Sequence, residues 1–143
     1  MKPILSCLAA TAALLAAHCA FAAPLRTDHP IVGIWRFELP DGSCHEMYRI
    51  RSDGTAMITS AAEIAETEFE IDDQPDSDGF YRSSDKIVKD NGKQDCTGEV
   101  TKVGHVVAAF ILFHPSNNMF LMCQRRDMSS CIGPFVRVRG TEI

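Results

Sequence analysis

From Ile31 to Arg139 the chain is a succession of short β runs, each closed by turn residues, with no convincing amphipathic helix among them. A chain of this pattern has no helix to cover a sheet edge. It must bury its edges by packing two sheets or by closing one sheet on itself. Ile31 to Leu39 alternates, with Ile31, Gly33, Trp35, Phe37 and Leu39 opposite Arg36 and Glu38. Pro40-Asp41-Gly42-Ser43 is turn chemistry, Cys44 to Arg51 is a second run, and Ser52-Asp53-Gly54 is a hairpin signal before Thr55 to Ser60. Glu63 to Asp72 alternates again, with Ala65, Thr67, Phe69 and Ile71 on one face. A helix over Ser60 to Glu68 competes there, because Ala61-Ala62-Glu63 favours helix. After an acidic loop, Asp72 to Gly79, come Phe80 to Lys89, Cys96 to Val103, His105 to His114, Met119 to Arg125 and Cys131 to Arg139. Eight or nine consecutive strands with short connections predict an all-β fold, a single up-and-down antiparallel barrel of about eight strands.

The N-terminus reads differently. Met1-Lys2-Pro3 carries one positive charge, Ile4 to Ala17 is apolar, and Ala20-Phe21-Ala22 is a small-x-small cleavage pattern. The apolar run is too short and Ala-rich for a membrane span, and no transmembrane segment is expected elsewhere. Residues 1–22 are thus expected to be a cleaved signal peptide and residues 23–143 one exported domain, with the bacterial periplasm the best-fitting compartment. Lipidation at Cys19 is the competing reading, with His18 standing where a small residue is required. Removal of Lys2 with the signal leaves 13 basic against 19 acidic side chains, a net charge of −6. Such a surface does not suit nucleic acid, whose phosphates need a basic partner.

Cys44, Cys96, Cys123 and Cys131 remain, an even set that predicts two disulfides in an oxidising compartment. Strand parity selects among the three connectivities. With nine runs, Cys44 and Cys96 follow odd-numbered turns at one end, while Cys123 and Cys131 flank the eighth turn at the other. Only Cys44–Cys96 with Cys123–Cys131 keeps each bridge within the reach of a disulfide.

Gly33-Ile34-Trp35, with Tyr48 on the next strand and Ser52-Asp53-Gly54-Thr55 after it, resembles the opening of small bacterial lipocalin-like (calycin-type) domains. In that family a Gly-x-Trp places the indole at the closed end of the barrel, and a basic residue of the last strand packs across it. The resemblance implies this role for Trp35 and Arg137, a structural pairing held by cation–π attraction.

No reactive or metal-binding motif competes. His29, His45, His105 and His114 lack metal-ligand spacing and read as surface or strand-end histidines. Asp72 to Gly79 contains Asp-x-Asp-Gly, but Gln74 holds the first ligand position of a calcium loop. Met47, Met57, Met119 and Met122 fit an adaptable apolar lining better than a copper site. No enzyme activity, cofactor or metal is therefore expected. A barrel of this size has room for one small ligand, and Met57, Phe69, Phe110, Leu112, Met119 and Leu121 are the expected lining of its pocket. A fully packed interior is the alternative. The expected function is a periplasmic lipocalin-like protein holding a small apolar ligand or lipid. The runner-up is an inhibitor or immunity-type module that binds a periplasmic protein through the acidic loop and the Arg125-Arg126-Asp127 tip.

Overall fold

The computed structural model describes residues 22–139. The expected signal segment, Ala22 excepted, and Cys19 lie outside the described residues. Eight strands follow one another: β1 (Gly33–Glu38), β2 (His45–Ile50), β3 (Thr55–Ser60), β4 (Glu63–Ile71), β5 (Phe80–Asp90), β6 (Val106–Phe113), β7 (Met119–Cys123) and β8 (Cys131–Arg137). Each pairs antiparallel with the next, and β8 returns to β1 through Trp35↔Arg137 and Arg36↔Val136, so the sheet is a closed barrel. Among the described residues the only helical piece is a single 3₁₀ turn, Met128–Ser130.

The two-residue link Ala61-Ala62 decides the strand-or-helix contest over Ser60 to Glu68. Ser60 opposes Glu63 directly, and Ala61 takes φ 51°, a left-handed turn conformation in a residue with no turn preference. The alternating apolar face of β4 is worth more against the barrel interior than local helix propensity is in isolation.

The sixth of the nine expected strands, Cys96 to Val103, does not form. The Asp95 carboxylate accepts hydrogen bonds from the Thr97 and Glu99 amides at 2.8 and 3.0 Å and from the Thr97 hydroxyl at 2.7 Å. Gly98, at φ 83°, closes the same turn. These bonds occupy backbone groups that a ladder would need. The segment from Asn91 to His105 is instead a loop between β5 and β6.

With eight strands, the odd-numbered connections (β1–β2, β3–β4, β5–β6, β7–β8) share one end of the barrel, here called the mouth. Both disulfides form as expected, with Cα separations of 5.8 Å for Cys44–Cys96 and 3.9 Å for Cys123–Cys131. All four cysteines nevertheless lie at the mouth end, Cys44 and Cys96 in its connections and Cys123 and Cys131 at the strand ends that flank one, so parity does not separate them. Direct opposition of Cys123 and Cys131 in the β7–β8 register makes the choice.

The opposite end is a floor built on Trp35, which is fully buried. Its indole N–H donates to the Ile31 carbonyl at 2.8 Å, and the Arg137 guanidinium carbon lies 4.2 Å from the ring centroid. Arg137 also donates to the carbonyls of Pro30, Val32 and Asn117 at 2.5, 3.0 and 3.1 Å, tying the incoming chain, β8 and the β6–β7 turn together. Gly33 makes this possible: its φ is 145°, and a Cβ there would come within 2.5 Å of the Arg137 guanidinium.

His29, expected at the surface, belongs to this floor at 3% exposure. Its Nε2 hydrogen bonds the Asp72 carbonyl at 3.1 Å and its Nδ1 accepts the Ile31 amide at 3.1 Å, which fixes the neutral tautomer. The expectation failed because the polar side chain is satisfied locally by backbone.

Candidate functional site

Large rings and small side chains are segregated inside the barrel. Phe37, Phe120 and Phe135 stack at centroid spacings of 4.7 Å, and Trp35 meets Phe120 at 4.8 Å, filling the sector near β1, β7 and β8. Across from them the inward positions of β3 to β6 include Ala56, Ser83 and Ala109. These cannot reach the rings, and a chamber of about 100 Å³ remains, walled mainly by Ile50, Ile58, Phe69, Ile87, Ile111 and Met122. Above it, a cleft of about 460 Å³ opens between the barrel rim and the β5–β6 loop. Chamber and cleft share Tyr48, Ile58, Ile87 and Val107 as wall, and so form one path from mouth to interior.

Of the six residues expected to line the pocket, only Phe69 does so. Trp35↔Tyr48, Tyr48↔Ile58, Ile58↔Ala65, Phe69↔Asp85 and Tyr81↔Ile111 carry the inward phase around the sheet. In that phase the odd residues of β6 and the even residues of β7 point inward. Phe110, Leu112, Met119 and Leu121 therefore lie on the outer wall, and Met57, between the inward Ala56 and Ile58, does too. β6 is apolar on both faces, so its composition carries no phase, and a one-residue shift exchanges the faces. The outer set is half-buried. A Cβ on Gly79 in the β4–β5 loop would lie 3.4 Å from Leu112, and the Arg126–Asp76 ion pair at 3.1 Å joins that loop to the β7–β8 loop along the wall. The structural assignments of Trp35 and Arg137 stand as found in the floor.

The polar groups of the path were not anticipated. Asp85 lines the chamber, and burial pushes its carboxyl up to about 6; the nearby Thr67 hydroxyl holds part of that shift back without reaching hydrogen-bonding geometry. Glu63, 5% exposed, lines the cleft, and burial raises its carboxyl, with the Asp90 carboxylate adding to the shift. Glu46 is satisfied internally, accepting the Tyr48 hydroxyl at 2.5 Å and the Ser60 hydroxyl at 2.7 Å. Burial and Glu46 hold the Tyr48 phenol well above its ordinary value, so it stays a donor. The Ser60 hydroxyl in turn accepts the Cys96 amide at 2.9 Å, which with the Cys44–Cys96 bridge pins the loop over the mouth. A signal for these acids was present: Glu63 shares its phase with Ala65, Thr67 and Phe69, and Asp85 shares its phase with Tyr81, Ser83 and Ile87.

The charged residues of the tip and acidic loop are partly engaged with one another. Arg125 pairs with Asp127 at 3.0 Å, and Asp76 caps its own turn through the Asp78 and Phe80 amides at 2.9 and 3.0 Å. An open groove of about 660 Å³ lies on the outside of the β1–β8 seam, lined by Arg36, Glu38, Pro134 and Val136. Among the described residues no group of three or more metal-ligating side chains converges, and no helix is long and apolar enough to cross a membrane. No protein family, curated protein or solved structure matches this chain.

Proposed function

We propose that this protein is a lipocalin-like carrier that holds one small, largely apolar molecule inside its barrel after export to the periplasm. The observation that carries the reading is the chamber itself. Ala56, Ser83 and Ala109 leave a space walled by aliphatic side chains, and it leads to a cleft under a disulfide-pinned loop. Protein interiors are ordinarily packed without such voids, and small-ligand sites are apolar concavities with a few polar anchors. A rigid mouth loses little order when a ligand enters. The protein-binding alternative draws no comparable support, since Arg125, Arg126, Asp76 and Asp127 are already paired among themselves.

Native mass spectrometry of the protein purified from its own export compartment tests this. The expected result is a bound small molecule on the wild type that is lost in Ala109→Phe, where the new ring fills the chamber. A wild-type protein that arrives empty, and whose melting temperature no small apolar compound raises, would remove the proposal.

A further inference from the structure

We infer that the ligand is an organic cation, an apolar body carrying a protonated amine, whose body fills the chamber and whose ammonium is held on the inner β4–β5 wall by Asp85 beside Thr67, with Glu63 further up the same wall at the cleft. This rests on the proposed carrier reading and narrows it to a chemical class.

Four buried oxygens have no hydrogen-bond partner: Asp85 Oδ1, Thr67 Oγ1, Glu63 Oε1 and Asp90 Oδ2. All four belong to β4 or β5. In the register, Phe69 opposes Asp85, Thr67 opposes Ile87 and Ala65 opposes Asp90, so the four follow one another from the chamber up to the cleft. Two of the residues are almost completely enclosed, Thr67 at 1% and Glu63 at 5% exposure. Unpartnered polar atoms so buried are uncommon in native proteins, because each costs the desolvation of the group with nothing in return.

What these oxygens lack is a positive donor. Three of the four groups are carboxyls, and none of the ion pairs among the described residues uses any of them. Lys102 and His105 line the outer cleft, yet neither pairs with Glu63, Asp85 or Asp90. An ammonium brings three donors and one charge. Seated in the chamber, it would satisfy the orphaned acceptors of Asp85 and Thr67 and offset the cost of burying the Asp85 carboxylate, whereas a carboxylate-bearing lipid would add a further buried negative charge. The apolar walls on the far side of the chamber leave no second polar anchor except Tyr48 and Ser83, so the ligand needs its polarity at one end only. Asp95 and Glu99 at the rim extend the same negative field outward and favour entry of cations.

The test compares three probes of one chain length: hexylammonium, 1-hexanol and hexanoate. Binding is measured by calorimetry or by ligand-observed NMR at neutral pH on the intact, oxidised protein. The expected result is hexylammonium at least about 10-fold tighter than 1-hexanol, a difference of one charge-assisted contact, with hexanoate weakest. In Asp85→Asn the amine preference should shrink several-fold while 1-hexanol binding is kept, and in Glu63→Gln, higher on the wall, it should shrink less. If 1-hexanol or hexanoate binds as tightly as the amine, the cation assignment is wrong and the carrier reading stands. An amine preference that Asp85→Asn leaves intact would place the cation on other acids and also overturns it. If none of the three binds, the chamber is not a ligand site and the carrier reading itself falls.

Discussion

The guanidinium of Arg137 sits over Trp35 with its central carbon 4.2 Å from the indole centroid, and the two residues are also direct cross-strand partners where β8 closes on β1. One contact thus seals the floor and joins the ends of the sheet. Trp35→Ala should destabilise by about 3–5 kcal/mol through the cavity it leaves. Arg137→Ala should cost less, since part of its stem remains solvated. Gly33→Ala should cost about 2 kcal/mol or more, because the methyl meets the guanidinium and the backbone sits where L-residues are strained. Urea titrations followed by the emission of Trp35, the only tryptophan, give all three values. A native emission like that of indole in water would contradict the buried floor.

The two disulfides should differ in weight. Cys44 and Cys96 are separated by 52 residues and Cys123 and Cys131 by 8. Loop entropy then gives about 4 kcal/mol for the first and about 2.5 kcal/mol for the second. Paired Ser variants compared by thermal unfolding should show the larger loss for Cys44–Cys96. Equal losses would mean that strain or residual structure dominates.

Asp85 should make the protein less stable as the solution turns neutral. Its folded pKa of about 6 lies above the ordinary aspartate value of 3.8, so the folded state holds the proton more tightly. The contribution of the neutral acid is full below pH 4 and is lost as pH rises through 6. Asp85→Asn should therefore gain about 1–3 kcal/mol at pH 7 and almost nothing at pH 4. A variant whose advantage is the same at both pH values would show that the carboxyl does not titrate inside the barrel.

His29 should act with the opposite sign. Burial lowers its pKa below 6.5, and the neutral ring accepts the Ile31 amide. Its contribution is full above about pH 6.5 and falls as pH drops through the folded value. His29→Ala, which leaves that amide unpaired, should cost about 1–3 kcal/mol at pH 7.5 and visibly less at pH 5. NMR titration of the ring reports the pKa directly. An ordinary or raised value would remove the sign.

Surface and interior methionines should part company. Met57→Gln on the outer wall should leave ligand binding within about 2-fold, whereas Met122→Gln, which faces the chamber, should weaken binding of an apolar ligand by about 1–3 kcal/mol. Calorimetry with the same probe on both variants decides it.

The sequence by itself determined eight of the strands, the barrel class, the presence of two disulfides and the Trp35–Arg137 floor, while the β7–β8 register chose the disulfide partners. Each of these is local or pairwise: turn residues punctuate strands, an even cysteine set pairs off, and a glycine two places before a tryptophan leaves room for one side chain. Tertiary structure decided which faces of β6 and β7 look inward, because Val106–Phe113 is apolar throughout and only its register with β5 sets the phase. It also decided that Cys96 to Val103 is a loop, where the Asp95 carboxylate captured the amides a strand would have offered. The chamber is a property of no single strand. It exists because alanines and a serine scattered from β3 to β6 meet on one side of the barrel while the phenylalanines of β1, β7 and β8 stack on the other. Asp85 acquires its unusual setting only when that void closes around it.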